Sequence, residues 1–118
     1  MELLPVRGLI ISRLKTLFDI TFYSGLSLAK GFSEKRVCSD QSSSIVFLSS
    51  IVSRLGVTGQ TGYASTKGAI NSMIRPMAME LSRNKIRVNS VLPGYIATEM
   101  SNQAEKLYSN DYREEIKN

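Results

Sequence analysis

A phenol and an ammonium, Tyr63 and Lys67, stand four residues apart in the stretch Tyr63-Ala64-Ser65-Thr66-Lys67. On a helix that spacing puts both side chains on one face, within reach of a common ligand. An unperturbed phenol, with a pKa of about 10, is a poor proton donor or acceptor at neutral pH. A fixed cation beside it favours the phenolate and makes the group usable for proton transfer. A hydroxyl from Ser50, 13 positions ahead of Tyr63, would hold a substrate oxygen beside the phenol. The Tyr would then protonate a developing alkoxide, or deprotonate an alcohol in the reverse direction. By itself, such a pair is more often the start of an amphipathic helix, with a buried Tyr and a snorkelling Lys.

The surrounding pattern predicts the elements that would position these groups. Ile45-Val46-Phe47-Leu48 is a short apolar run bounded by serines, suited to a strand buried on both faces of a parallel sheet. Gly56, Gly59 and Gly62 punctuate the connection that follows. Ile70, Met73, Ile74, Met77, Ala78 and Leu81 then form an apolar stripe at helical spacing. Pro76 lies inside that helix and is expected to kink it; Asn84 is a plausible stop. Lys85 to Leu92 reads as a second strand, ended by Pro93-Gly94. Upstream, Leu14, Leu17, Phe18, Phe22, Leu26 and Ala29 predict a helix from Leu14 to about Gly31. Residues 1–13 are unassigned, residues 32–43 read as a polar loop, and the polar tail after Ser101 reads as a surface helix. Strand, long helix, strand is a βαβ unit with a right-handed crossover. Ligands of such open α/β sheets sit beyond the carboxyl ends of the strands. Ser49-Ser50 and the run Pro93 to Thr98 fall there.

Composition narrows the chemistry. The chain has 118 residues, room for one ordinary domain. It contains no His, which excludes Ser-His-Asp triads, Cys-His dyads and His-ligated metals. The single Cys, Cys38, can form neither an internal disulfide nor a thiolate cluster, and so fits a reducing compartment. The formal charge is +5, but the excess is scattered and aromatic and basic residues do not interleave, so nucleic acid is not an expected partner. Uncharged apolar stretches fall short of the roughly 20 residues that span a bilayer, and no secretory signal opens the chain. A cytoplasmic location without membrane attachment is the expectation.

The Tyr–Lys pair, Ser50, the small residues Ser65-Thr66-Lys67-Gly68-Ala69, then Met79-Glu80-Leu81, Ile86-Arg87-Val88-Asn89-Ser90-Val91-Leu92-Pro93-Gly94 and Thr98 follow one another in an order and spacing that closely resembles the short-chain dehydrogenase/reductase family. The resemblance runs from about residue 43 to 100. It implies an α/β fold: the C-terminal part of a Rossmann-type doubly wound parallel sheet, one partial domain over 1–118, with the N-terminal nucleotide-binding strands missing. It also implies an oxidoreductase that moves hydride between NAD or NADP and a small-molecule carbonyl/secondary alcohol pair. Tyr63 would be the acid/base. Lys67 would favour the phenolate and hydrogen-bond the nicotinamide ribose, and Ser50 would orient the substrate oxygen. Pro93-Gly94 would form the turn under the nicotinamide, Ile96 would offer its backbone to the carboxamide, and Thr98 would contact the carboxamide or diphosphate. Asn89 matches a structural asparagine. The first helix and the long helix match the family's usual dimer faces, implying a homo-oligomer. Four features depart from the family pattern, one of them Pro76, which falls where the family's helix normally runs unbroken. No Gly-rich dinucleotide fingerprint and no Asn-Asn-Ala-Gly run is present, and Thr21 stands where the family usually carries a catalytic Asn. These departures keep an alternative open, a truncated and catalytically inactive member or an interaction remnant.

Overall fold

The apolar stripe from Ile70 to Leu81 coils into α3, Thr61–Leu81, in the computed structural model, which describes residues 4–34 and 42–97. Ile70 is buried at the centre of the core, with Met73, Ile74, Met77, Ala78 and Leu81 packed around it. Pro76 lies within the helix and does not end it. The carbonyl deprived of a donor belongs to Ser72, an exposed residue, so solvent can take the place of the lost bond. The helix closes through a 3-10 turn, Ser82–Asn84, and the left-handed residue is Lys85 (φ 56°). The expected stop at Asn84 therefore falls one residue late, because the tightened turn sends the Lys85 N–H back to the Ser82 carbonyl at 2.9 Å.

Strands β1, Ser43–Leu48, and β2, Ile86–Val91, flank α3 in sequence and pair in parallel, from Ser43 opposite Ile86 to Leu48 opposite Val91. The ladder starts at Ser43, ahead of the apolar run, because β2 offers partners from Ile86 onward. Alternation assigns the two faces. Ile45, Phe47, Ile86 and Val88 turn towards the helices, and Phe47, Ile86 and Val88 are buried. Val46 and Leu48 point the other way and are 61% and 64% exposed. Burial on both faces, expected from the unbroken apolar run, is thus corrected. Among the described residues both helical layers, the one containing Ala29 and the one containing Ile70, share one core on one side of the sheet.

The first helical segment is longer and less regular than its periodicity predicts. A 3-10 turn, Val6–Gly8, and the first three residues of helix α1, Ile11–Phe18, occupy positions to which the periodicity assigns no element. A π-helical turn, Asp19–Tyr23, then leads into α2, Ser24–Phe32. Two hydroxyls sit at this widening: Thr21 Oγ1 donates to the Leu17 carbonyl at 2.6 Å, and Ser24 Oγ donates to the Ile20 carbonyl. Such back-bonding competes for the carbonyls that a regular helix uses. Gly25 follows immediately, where a Cβ would lie 3.3 Å from Phe47 Cε1. A side chain there would push the buried ring aside by a few tenths of an ångström. Cys38 and the helix expected in the tail lie outside the described residues.

Gly25→Val adds a branched side chain against Phe47 and is expected to destabilise the fold by about 1–3 kcal/mol through overpacking. Denaturant unfolding measures this, and a midpoint equal to that of the parent would show that the contact is not tight.

Candidate active site

Two backbone bonds carry the pairing of β1 and β2 beyond the ladder: Ser49 N–H to the Val91 carbonyl at 2.8 Å and Ile51 N–H to the Pro93 carbonyl at 3.0 Å. They deliver Ser49 and Ser50 to the carboxyl edge of the sheet, where both are buried. Ser50 has extended backbone and caps the 3-10 turn Ile51–Ser53, its Oγ accepting from Val52 N–H at 3.3 Å. Its own hydroxyl proton is taken by no described residue.

The first turns of α3 face this edge. Lys67 Nζ donates to the Leu48 carbonyl at 2.9 Å, and Ser49 Oγ donates in return to the Lys67 carbonyl at 2.9 Å. The ammonium lies 5.7 Å from the centroid of the Tyr63 ring, as the four-residue spacing requires; such a cation–π contact stabilises by about 0.5–1 kcal/mol at a partly exposed site. Burial lowers the Lys67 pKa from its ordinary 10.5, because desolvation disfavours the charged form. Thr66 is wholly buried, and its hydroxyl donates to the Tyr63 carbonyl at 2.9 Å. Tyr63 is half-buried, and its own hydroxyl makes no hydrogen bond to a described residue.

The structure thus brings Tyr63 and Lys67 together and sets Lys67 on the strand end that leads into Ser50. Pro93 is tied to the same edge through Ile51, and Gly94 continues from it; Ile96 is exposed beyond them. Thr98 lies outside the described residues. Thr21, in the π turn that packs against α3, has its donor committed to Leu17. Sequence reasoning assigned no role to Ser49, although parity could have found it: Ser49 shares the face of Phe47 and so points at the helices.

No helix among the described residues is long and apolar enough to cross a membrane. The family model described as Enoyl-(Acyl carrier protein) reductase matches residues 9–118. Estradiol 17-beta-dehydrogenase 8 of Callithrix jacchus is 40% identical over 97 residues, 82% of this chain and 66% of that protein. The (3R)-3-hydroxyacyl-CoA dehydrogenase of Rattus norvegicus is 52% identical over 58 residues, 49% of this chain and 22% of that protein. A solved mutant 4-hydroxyisoleucine dehydrogenase, complexed with NADH and succinate, superposes with a TM-score of 0.78 at 31% identity, over 93% of this chain and 44% of its own. The chain therefore spans less than two thirds of these relatives. With this sheet, this helix and these relatives, the chain belongs to the short-chain dehydrogenase/reductase family.

Proposed function

We propose that this protein is an NAD(P)-dependent oxidoreductase acting on a carbonyl/secondary alcohol pair, with Tyr63 as the acid/base. The observation that carries the reading is the Lys67 ammonium, held between the Leu48 carbonyl and the Tyr63 ring at the carboxyl edge of the sheet. The donor set fits a nicotinamide riboside: a phenol and an ammonium suit ribose hydroxyls, and the Pro93-Gly94 turn adjoins the same edge. Lys67 and Tyr63 would hold the ribose, with Pro93, Gly94, Ile96 and Thr98 around the nicotinamide. When bound, that cofactor supplies the hydride. Ser50, whose hydroxyl proton is uncommitted, donates to the substrate carbonyl oxygen. Tyr63 donates its proton to that oxygen as negative charge develops there, and takes a proton from the alcohol in the reverse direction. Lys67 stabilises the phenolate left behind, a fixed charge that needs no reorganisation during the reaction.

The substrate class we infer is a 3-oxoacyl thioester or a ketone of similar size. The likeness to the rat (3R)-3-hydroxyacyl-CoA dehydrogenase, 52% identical over 58 residues, supports it. The exposed apolar residues Ile11, Ile20, Leu28 and Met79 on the outer helices support self-association through those helices.

Acetoacetyl-CoA with NADH or NADPH is the direct assay. Tyr63→Phe is expected to lower turnover by roughly 10²–10⁴-fold, the usual contribution of a positioned acid/base, while nicotinamide fluorescence still reports coenzyme binding. Absence of coenzyme binding, or an active Tyr63→Phe protein, would overturn the reading.

Stability carries a second test. With its pKa lowered by burial, Lys67 holds fewer protons in the folded than in the unfolded chain between its folded value and 10.5. Stability through this group therefore rises with pH across that window and is flat below it. Unfolding free energies of the parent minus those of Lys67→Met are expected to climb on approach to pH 10.5; a difference that falls there would contradict the burial of the charge.

A further inference from the structure

Beyond the Tyr63–Lys67 pair, a chain of side-chain hydrogen bonds crosses from β2 to the Ser50 loop. Ser90 Oγ donates to Asn71 Oδ1 at 3.2 Å, Asn71 Nδ2 donates to Ser53 Oγ, and Ser53 Oγ donates to the Ser50 carbonyl at 2.6 Å. Every member of the chain has one orientation. The one proton of the Ser53 hydroxyl goes to the Ser50 carbonyl, so Ser53 meets Asn71 as an acceptor; the amide therefore donates to the loop through Nδ2 and accepts from the strand through Oδ1. All the residues involved are at least partly buried, where an unmet donor or acceptor is costly.

We infer that Asn71 is a positioning residue for Ser50. Tyr63, Lys67 and Asn71 fall at i, i+4 and i+8 of α3, one stripe of the helix. The helix that carries the proposed acid/base thus also sets where the Ser50 hydroxyl stands. Lys67 holds the last residue of β1, and Asn71 holds the turn that Ser50 opens. Without Asn71, Ser53 loses its donor and is free to rotate away from the Ser50 carbonyl. The cap from Ser50 Oγ to Val52 N–H then loosens, and the hydroxyl no longer has a fixed position relative to the phenol. Misplacement of this kind lowers the rate of the chemical step more than it weakens ligand binding.

This inference rests on the proposed reductase reading, and the experiment separates the two. Asn71→Leu keeps the branching at Cγ and removes both hydrogen bonds; Ser53→Ala removes the next link. In the full chain, with acetoacetyl-CoA and NAD(P)H, each is expected to lower kcat about tenfold or more while the coenzyme KM stays within about twofold. The double variant should lose no more than the worse single one, since both cut the same chain. Amide hydrogen exchange at Val52 should accelerate in Asn71→Leu while exchange at Phe47 and Val88 is unchanged, which separates a loosened turn from a damaged fold. An unchanged kcat in Asn71→Leu, multiplying losses in the double variant, or unchanged exchange at Val52 would overturn the positioning role while leaving the reductase reading intact. A parent protein that reduces nothing, or a Tyr63→Phe protein that retains activity, would overturn the reading itself and this inference with it.

Discussion

The clasp between α3 and the end of β1 is the contact on which the rest of the site depends. It is reciprocal: the Lys67 side chain bonds a strand carbonyl, and the Ser49 side chain bonds the Lys67 carbonyl. Together with the apolar stripe that seats α3 on the core, the two bonds in opposite senses tie its first turns to the end of β1. They also resolve a conflict. A lysine drawn partly out of water is penalised in its charged form, and the Leu48 carbonyl offsets part of that penalty by accepting a hydrogen bond from the charged group. The Ser49 N–H of the same peptide unit bonds β2, so the Leu48 carbonyl points away from that strand and is left for the ammonium.

The sheet that carries this clasp is covered unevenly. On one face, Phe47, Ile86 and Val88 pack under Ala29 and Ile70. On the other, Val46, Leu48 and Val91 are exposed beside Arg87 and Asn89. Parallel strands are normally covered on both faces, and these apolar residues have the character of that environment. The core contacts are short-range and specific: Gly25 lets a helix approach the Phe47 ring, and Gly62 sits where a Cβ would lie 3.2 Å from Leu14 Cδ1. Two glycines thus set how closely the first helical segment approaches β1 and the start of α3, the helix that presents Tyr63.

Much of this was legible in the sequence because it is periodic. The stripe from Ile70 to Leu81 predicts α3, and the whole stripe packs on the core. The β-branched run and the Pro93-Gly94 stop predict two strands whose observed bounds differ by a residue or two. What could not be read has a common physical origin. The π turn at Asp19–Tyr23 arises from hydroxyls bonding their own helix, which leaves no trace in an apolar period. The open face of the sheet depends on which layers are present, not on the strand's composition. The Ser90–Asn71–Ser53 chain joins residues from three separate elements, and no local spacing announces it. The Tyr–Lys pair was legible as a pair; its anchoring to Leu48 required the fold.

Thr21 shows how one departure from a family pattern acts locally. An amide at that position would offer a donor and an acceptor at the end of a longer side chain. The threonine hydroxyl instead turns onto the Leu17 carbonyl in its own helix, at 2.6 Å, and its one proton is thereby spent. A proton path running from Lys67 into the π turn would therefore find no donor in this side chain. On α3, Asn71 lies one turn beyond Lys67, accepts a hydrogen bond from Ser90 of β2 and donates one to Ser53 in the turn that Ser50 opens. The phenol, the ammonium and the amide thus stand on a single helix, where the helical repeat itself spaces them.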